Sequence, residues 1–259
     1  MNHTQSESIF AEASHCLVGG VTAGARASAL FATPFYAAHA GGSRITDVDG
    51  NEFLDLHTSF GAALLGHGHP RITAAVKQAL DNGILCAMET TASISAARKL
   101  VELIPCAEKV RFTGTGTETT YAVIKLARAF TKRNVVIKFE GHFHGFNDYL
   151  QYNFWPPRGA GLPELYVESQ GAPAGIEQNI IVLPFNDTGA LEKTIRARKD
   201  EIAAVILEPV NFNSGGIRPR PEFLQRLRTL TKEHNIVLIF DEILSGFRTG
   251  SGCMQRTSG

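Results

Sequence analysis

The chain has 259 residues, with 25 acidic and 25 basic side chains; that length suits one large α/β domain or two smaller ones, and the balance gives no electrostatic case for nucleic acid or an anionic membrane. Its apolar runs fall far short of a membrane span, and the polar start Met1–Glu7 lacks the basic-then-apolar order of a secretory signal. Cys16, Cys86, Cys106 and Cys253 form no CxxC pair and no metal spacing, the pattern of a reduced, cytoplasmic protein.

In chain order, Ser6 to Leu17 reads as a short amphipathic helix, and Val18 to Arg26 as a loop of small residues whose one charge is Arg26. Phe35 to Leu56 reads as a small β meander, because Asp49-Gly50 supplies a hairpin turn between short apolar segments. Pro70 suits the first position of a helix running to Leu80 and closed by Asn82-Gly83. His67 and His69 are spaced like metal ligands, but no third ligand is near, so a metal is not expected.

Ser93 to Ile104 is a second amphipathic helix, stopped by Pro105. A short strand, Val110 to Phe112, then leads into Thr113-Gly114-Thr115-Gly116-Thr117-Glu118 and a helix over Thr117 to Thr131. Strand, glycine–threonine turn and helix together present backbone N–H groups to an anion such as a phosphate. The turn is neither a Walker loop nor a GxGxxG fingerprint, since it lacks GK[ST] and has Thr119 at the sixth position.

Asn134 to Phe139 is the next strand, ending in Glu140-Gly141-His142-Phe143-His144-Gly145, where an aromatic between histidines suits a flat ligand as well as an ordinary turn. Asn147 to Gln178 has no clear period and reads as a long, partly ordered loop, a candidate lid or subunit contact. Strands Ile180–Leu183 and Ala203–Leu207 alternate with helices Thr188–Lys199 and Pro221–His234. The second of these strands ends in Glu208-Pro209-Val210. The last strand lies within Asn235 to Ile243; its apolar run stops at Asp241-Glu242, and α/β proteins place ligands at the carboxyl ends of parallel strands. The order β-α-β implies a mostly parallel sheet between helices. No composition break marks a linker, so the expected division is an N-terminal arm with the meander, residues 1–61, followed by a large domain, 62–259.

Taken together, the 18–26 loop, Asp47-Val48-Asp49-Gly50, Leu65-Gly66-His67-Gly68-His69-Pro70, Arg111 to Arg128, Lys138 to Gly145, Glu208-Pro209-Val210 and Asp241 to Arg248 resemble the class III (ω-) aminotransferases of the fold-type I pyridoxal-phosphate (PLP) enzymes. The likeness is greatest to glutamate-1-semialdehyde 2,1-aminomutases, and it rests on the order and spacing of the motifs rather than on any one of them.

The resemblance implies that Thr115, Gly116 and Thr117 hold the cofactor phosphate, that Phe143 (for the usual Tyr) and His144 contact the ring, and that Asp241 pairs with the pyridine nitrogen, with Glu208 near the same face. It places Arg26 on the substrate carboxylate and Ser59 and Phe60 (for Trp) at the substrate pocket. Family members carry the Schiff-base lysine beyond the Asp241 motif. None of the nine lysines here matches it, Lys138 being the nearest tempting substitute. The chain is therefore expected to be truncated and inactive alone, lacking the lysine segment and the C-terminal domain.

The expected activity of the full-length form is amino transfer from a small-molecule donor to a carbonyl acceptor, in a homodimer. Phe60, Gly114 and Phe143 depart from the aminomutase pattern and favour a transaminase of another pathway. The aminomutase reaction and a non-catalytic remnant or partner of an intact homologue are the alternatives.

Overall fold

Runs such as Ile202-Ala203-Ala204-Val205-Ile206-Leu207 carry no polar residue, which suits strands covered on both faces. The computed structural model describes residues 1–27, 31–83, 87–157, 159, 161–162 and 164–258. They divide into two compact units, Met1–Met88 and Glu89–Gly259. The division falls later in the chain than residue 62, so the helix opened by Pro70 lies in the first unit.

The first unit contains α1 (Thr4–Cys16), an antiparallel meander of β1 (Ala37–Gly41), β2 (Arg44–Asp47) and β3 (Glu52–Leu54), and α2 (Pro70–Asp81). The β2–β3 turn needs Gly50, whose φ is +83°. Asp49 in that turn accepts from the backbone N–H groups of Gln5 (2.7 Å) and Ser6 (3.1 Å), so a carboxylate meets the positive end of α1.

In the second unit, α3 (Thr91–Leu103) and α4 (Gly116–Thr131) precede a parallel sheet in the order β5-β4-β6-β7. The strands are β4 (Val135–Phe139), β5 (Ile180–Leu183), β6 (Ile202–Leu207) and β7 (Val237–Phe240); α5 (Thr188–Arg198), α6 (Pro221–Glu233) and α7 (Cys253–Ser258) complete the unit. The period of two in β4 divides its side chains between two cores. Val135, Ile137 and Phe139 pack with Leu191, Ile195, Phe223 and Leu227 from α5 and α6, while Val136 packs with Ile124 of α4, Leu150 and Tyr152. Burying one such Leu, Ile or Phe side chain contributes roughly 1.5–3 kcal/mol. Arg226 of α6 bonds Glu192 of α5 through two nitrogens and ties the two helices together at a half-buried contact.

One expectation needs correction. Val110–Phe112 forms no ladder with any strand among the described residues, and Phe112 is exposed. The last strand lies where expected, as β7, with four paired residues. The segment after Asn147, expected to be partly ordered, is held at several points. Leu150 and Tyr152 are core residues, Tyr152 bridges Val167, and fully buried Asn153 donates to Glu164 O and accepts from Tyr166 N–H. Cys86 lies outside the described residues. No helix among those described is long and apolar enough to cross a membrane, and no group of three or more His, Cys, Asp or Glu among them could hold a metal ion.

Candidate active site

Threonine ends the irregular stretch before α4 because its side chain can cap a helix. Thr115 Oγ1 accepts from Glu118 N–H (3.1 Å), and Glu118 reaches back to Gly114 N–H (2.8 Å). The amides of Gly116 and Thr117 follow, in the first turn, where a helix offers no acceptor of its own. Gly145, with φ +83°, lies flush against this turn: a Cβ there would fall 2.8 Å from Thr117 Cα. Phe146 N–H donates to Thr117 Oγ1 (3.2 Å) and Thr120 Oγ1 to His144 O (2.7 Å), so the loop after β4 is fastened to the start of α4.

Asp241 follows β7 directly and extends its pairing, its N–H donating to Leu207 O at 2.8 Å. The residue is 9 % exposed. Its Oδ2 accepts from His144 Nδ1 at 2.7 Å and its Oδ1 from Ile243 N–H at 3.2 Å. Each carboxylate oxygen keeps a second lone pair for a further donor. Ile243 approaches the helix start, its Cδ1 lying 3.3 Å from where a Cβ on Gly116 would stand. Asp241 and the Thr115–Thr117 turn therefore share one neighbourhood, with His144 between them.

Glu208, after β6, accepts at Oε1 from Phe143 N–H (2.8 Å) and Asn213 Nδ2 (2.9 Å), while its buried Oε2 has no partner. Burial pushes its pKa up, against the two hydrogen bonds. Glu208 N–H donates to His142 Nδ1 at 2.9 Å, which leaves the His142 proton on Nε2. Burial, then the neighbouring His144 and Lys138, hold His142 down to about 2, so the ring is neutral. The Nε2 atoms of both histidines are buried without partners. The Phe143 ring is half-buried and tilts against Phe154, with centroids 4.6 Å apart.

Lys138 shares the Val136 face of β4 and is fully enclosed. Its Nζ donates to Leu150 O (3.0 Å) and to Tyr152 O, pinning the segment after Asn147. Burial pushes it down to about 7, against the pull of Glu168, Glu208 and Glu140. Both acceptors are backbone carbonyls, so this lysine is a fastener.

The other expected residues lie in the first unit. Arg26 is exposed and donates to Thr22 Oγ1. Ser59 and Phe60 sit on a turn with unusual backbone: φ is +48° at Thr58, +54° at Ser59 and +56° at Phe60. Each non-glycine residue in the left-handed region costs about 1–2 kcal/mol. The sequence reading gave no role to Asn213 or to the pair formed by Asp55 and His67. His142 stood in the loop read as suited to a flat ligand, and His67 in a loop where no metal was expected.

A buried acid at the end of a parallel strand, facing a helix start that can take an anion, defines a cofactor site in an α/β protein. The solved structures agree in fold. An omega-transaminase from Sphaerobacter thermophilus matches with TM-score 0.93 and 37 % identity over 100 % of this chain and 60 % of its own. A transaminase with PLP bound matches with TM-score 0.92 and 31 % identity over 100 % and 59 %. The fold is thus that of fold-type I PLP-dependent transferases.

The class-III aminotransferase family model matches residues 26–256, and the chain belongs to that family. Among curated relatives, the glutamate-1-semialdehyde 2,1-aminomutase of Methanococcus maripaludis is 42 % identical over 98 % of this chain and 58 % of its own length. Aminomutase 2 of Brevibacillus brevis is 39 % identical over 100 % and 60 %. The chain spans about 60 % of the length of the curated relatives it matches.

Proposed function

We propose that this chain is the cofactor-holding part of a cytoplasmic, homodimeric PLP-dependent aminotransferase that moves an amino group from a small-molecule donor to a carbonyl acceptor. The observation that carries the reading is Asp241, buried, oriented by His144, and near the free amides of Gly116 and Thr117. The residues fit the cofactor: the buried Glu208 Oε2 and His144 Nε2 lack partners, and Gly145 keeps the loop close to the phosphate turn. When bound, PLP supplies an electron sink for the bonds at the substrate α-carbon.

The protein's own part is to bind and orient. Gly116 and Thr117 N–H groups and the Thr115 and Thr117 hydroxyls hold the phosphate at the positive end of α4. Asp241 keeps a proton on the ring nitrogen by placing a negative charge beside it. His144, through its Nδ1–H, fixes which way that carboxylate points. Glu208 holds Phe143 N–H and so sets the loop whose ring covers one face of the site. Arg26 recognises a substrate carboxylate, and Ser59 and Phe60 line the substrate side. No lysine described here suits the Schiff base: Lys138 is enclosed and the other eight are exposed. On this reading the chain by itself binds the cofactor without turning it over. The relatives' name supports the intramolecular aminomutase reaction as a second reading; Phe60, Gly114 and Phe143 favour transfer between two molecules.

Pyridoxamine phosphate tests the reading, because it has no aldehyde to react with surface lysines. Equilibrium dialysis should show one saturable site, weakened about tenfold or more by Asp241→Asn, the loss expected on removing a charged hydrogen-bond partner. Borohydride treatment after adding PLP should leave no phosphopyridoxyl-lysine at a unique position by mass spectrometry. Absence of saturable binding, or equal affinity in the variant, would overturn the assignment.

A further inference from the structure

The turn that carries Ser59 and Phe60 runs through four successive positive φ values, ending with +80° at Gly61. Glycine alone takes such values freely, and Thr58 is β-branched, for which they are least expected. The turn closes on itself through Gly61 N–H to His57 O (3.1 Å) and Ala63 N–H to Thr58 O (2.9 Å). These bonds do not explain why the chain enters the left-handed region at Thr58. A persistent departure of this kind requires surroundings that over-determine it.

Asp55 supplies that constraint. Its Oδ1 accepts from the backbone N–H groups of both His57 and Thr58, each at 2.9 Å. Its Oδ2 is held by His67 Nε2 at 2.7 Å, and the Asp55 side chain is only 5 % exposed. His67 is itself fixed, exchanging backbone hydrogen bonds with Gly42 at 2.9 and 2.8 Å. His57 continues the arrangement: its Nδ1 accepts from Phe60 N–H (3.2 Å), and its ring meets the Phe60 ring edge-on, centroids 4.2 Å apart. Asp55, Thr58, Leu64 and His67 border an open hollow of about 350 Å³, within the size range of small-molecule sites. The hydrogen bond from His67, with those from the Thr58 and His57 amides, holds the Asp55 carboxyl below its usual range.

We infer that Asp55 and His67 form a latch that holds the left-handed Thr58–Gly61 turn in one shape, and so fixes where Ser59 and Phe60 stand against the acceptor substrate. Both are positioning residues. The inference rests on the reading of Ser59 and Phe60 as substrate-facing, and the test has one arm that needs no activity.

In the first arm, amide hydrogen exchange over residues 57–63 is compared in the wild type, His67→Phe, His67→Gln and Asp55→Asn, each first shown to be folded by circular dichroism. Gln places an amide nitrogen where His67 Nε2 stands. We expect exchange at Thr58 and Phe60 to rise tenfold or more in His67→Phe and Asp55→Asn and to return most of the way in His67→Gln. Unchanged exchange in both of the first two variants would overturn the latch.

In the second arm, the whole PLP-loaded enzyme carrying His67→Phe should show a KM for the carbonyl acceptor raised about tenfold, kcat within twofold, and an unaltered cofactor absorption band. Looser amides with an unchanged KM would sink the substrate role, as would equal losses in kcat and cofactor loading. A wild-type enzyme without PLP-dependent turnover would instead refute the aminotransferase reading, leaving exchange to judge the latch.

Discussion

His142 shows how a single buried ring links site architecture to solution behaviour. Its Nδ1 accepts from Glu208 N–H, and its pKa is lowered from 6.5 to about 2 by burial and by the neighbouring His144 and Lys138. The unfolded chain binds a proton at this residue below about pH 6.5, while the folded one does not until near 2. In that window the unfolded state carries more protons, so stability falls as pH drops. The loss due to this residue is about 1.4 kcal/mol per pH unit. Asn can still accept from Glu208 N–H, so urea unfolding of His142→Asn between pH 6.5 and 5 should show a shallower decline than the wild type. Parallel declines would mean that the ring takes up a proton in the folded state. Lys138 belongs to the same buried polar layer: the carbonyls it satisfies, Leu150 O and Tyr152 O, hold a segment adjoining the Phe143 loop.

Among elements, the contact between the loop after β4 and the first turn of α4 is the most demanding. Gly145 has φ +83°, and an added Cβ would lie 2.8 Å from Thr117 Cα, so two costs combine there. Gly145→Ala should lower Tm by roughly 4–8 °C, taking a cost of about 2 kcal/mol in a domain of this size. It should also weaken pyridoxamine phosphate binding by moving Thr117. Gly175, at φ +91° with nothing near its missing Cβ, is the control. Gly175→Ala should cost stability without affecting binding, and equal effects of both variants on affinity would remove the loop contact from the site.

The elements that were legible in the sequence are those whose cause is local. Pro70 and Pro221 open helices, Ile202–Leu207 is apolar throughout, and Asp49-Gly50 makes a hairpin. Val110–Phe112 misled because an apolar triplet becomes a strand only with a neighbour to pair with. The Thr58–Gly61 turn was invisible because Thr58, Ser59 and Phe60 carry no left-handed preference, and Asp55, itself held by His67, imposes it. In the cofactor site, the position of Asp241 could be read from where an apolar run stops. Its orientation by His144 depends on the chain beyond β4 reaching the end of β7 across the intervening β6.

Over the whole molecule, the second unit's sheet has β5 and β7 at its edges, and several helices keep apolar faces in water. Ile72, Val76 and Leu80, spaced four apart on α2, are each about half exposed, as are Tyr121, Leu126 and Phe130 on α4 or more so. Open strand edges and apolar stripes are the surfaces through which chains associate, in keeping with the proposed homodimer. The chain also contains one tryptophan, Trp155, mostly exposed, whose backbone N–H donates to Glu168 Oε1 at 2.6 Å. Phe154 lies between it and Phe143, with ring centroids 5.6 and 4.6 Å away. This gives the protein a built-in optical reporter: pyridoxamine phosphate arriving beside Phe143 should dim the indole emission in step with occupancy measured by dialysis. Emission that stays constant while the site fills would show that Trp155 does not sense the ligand.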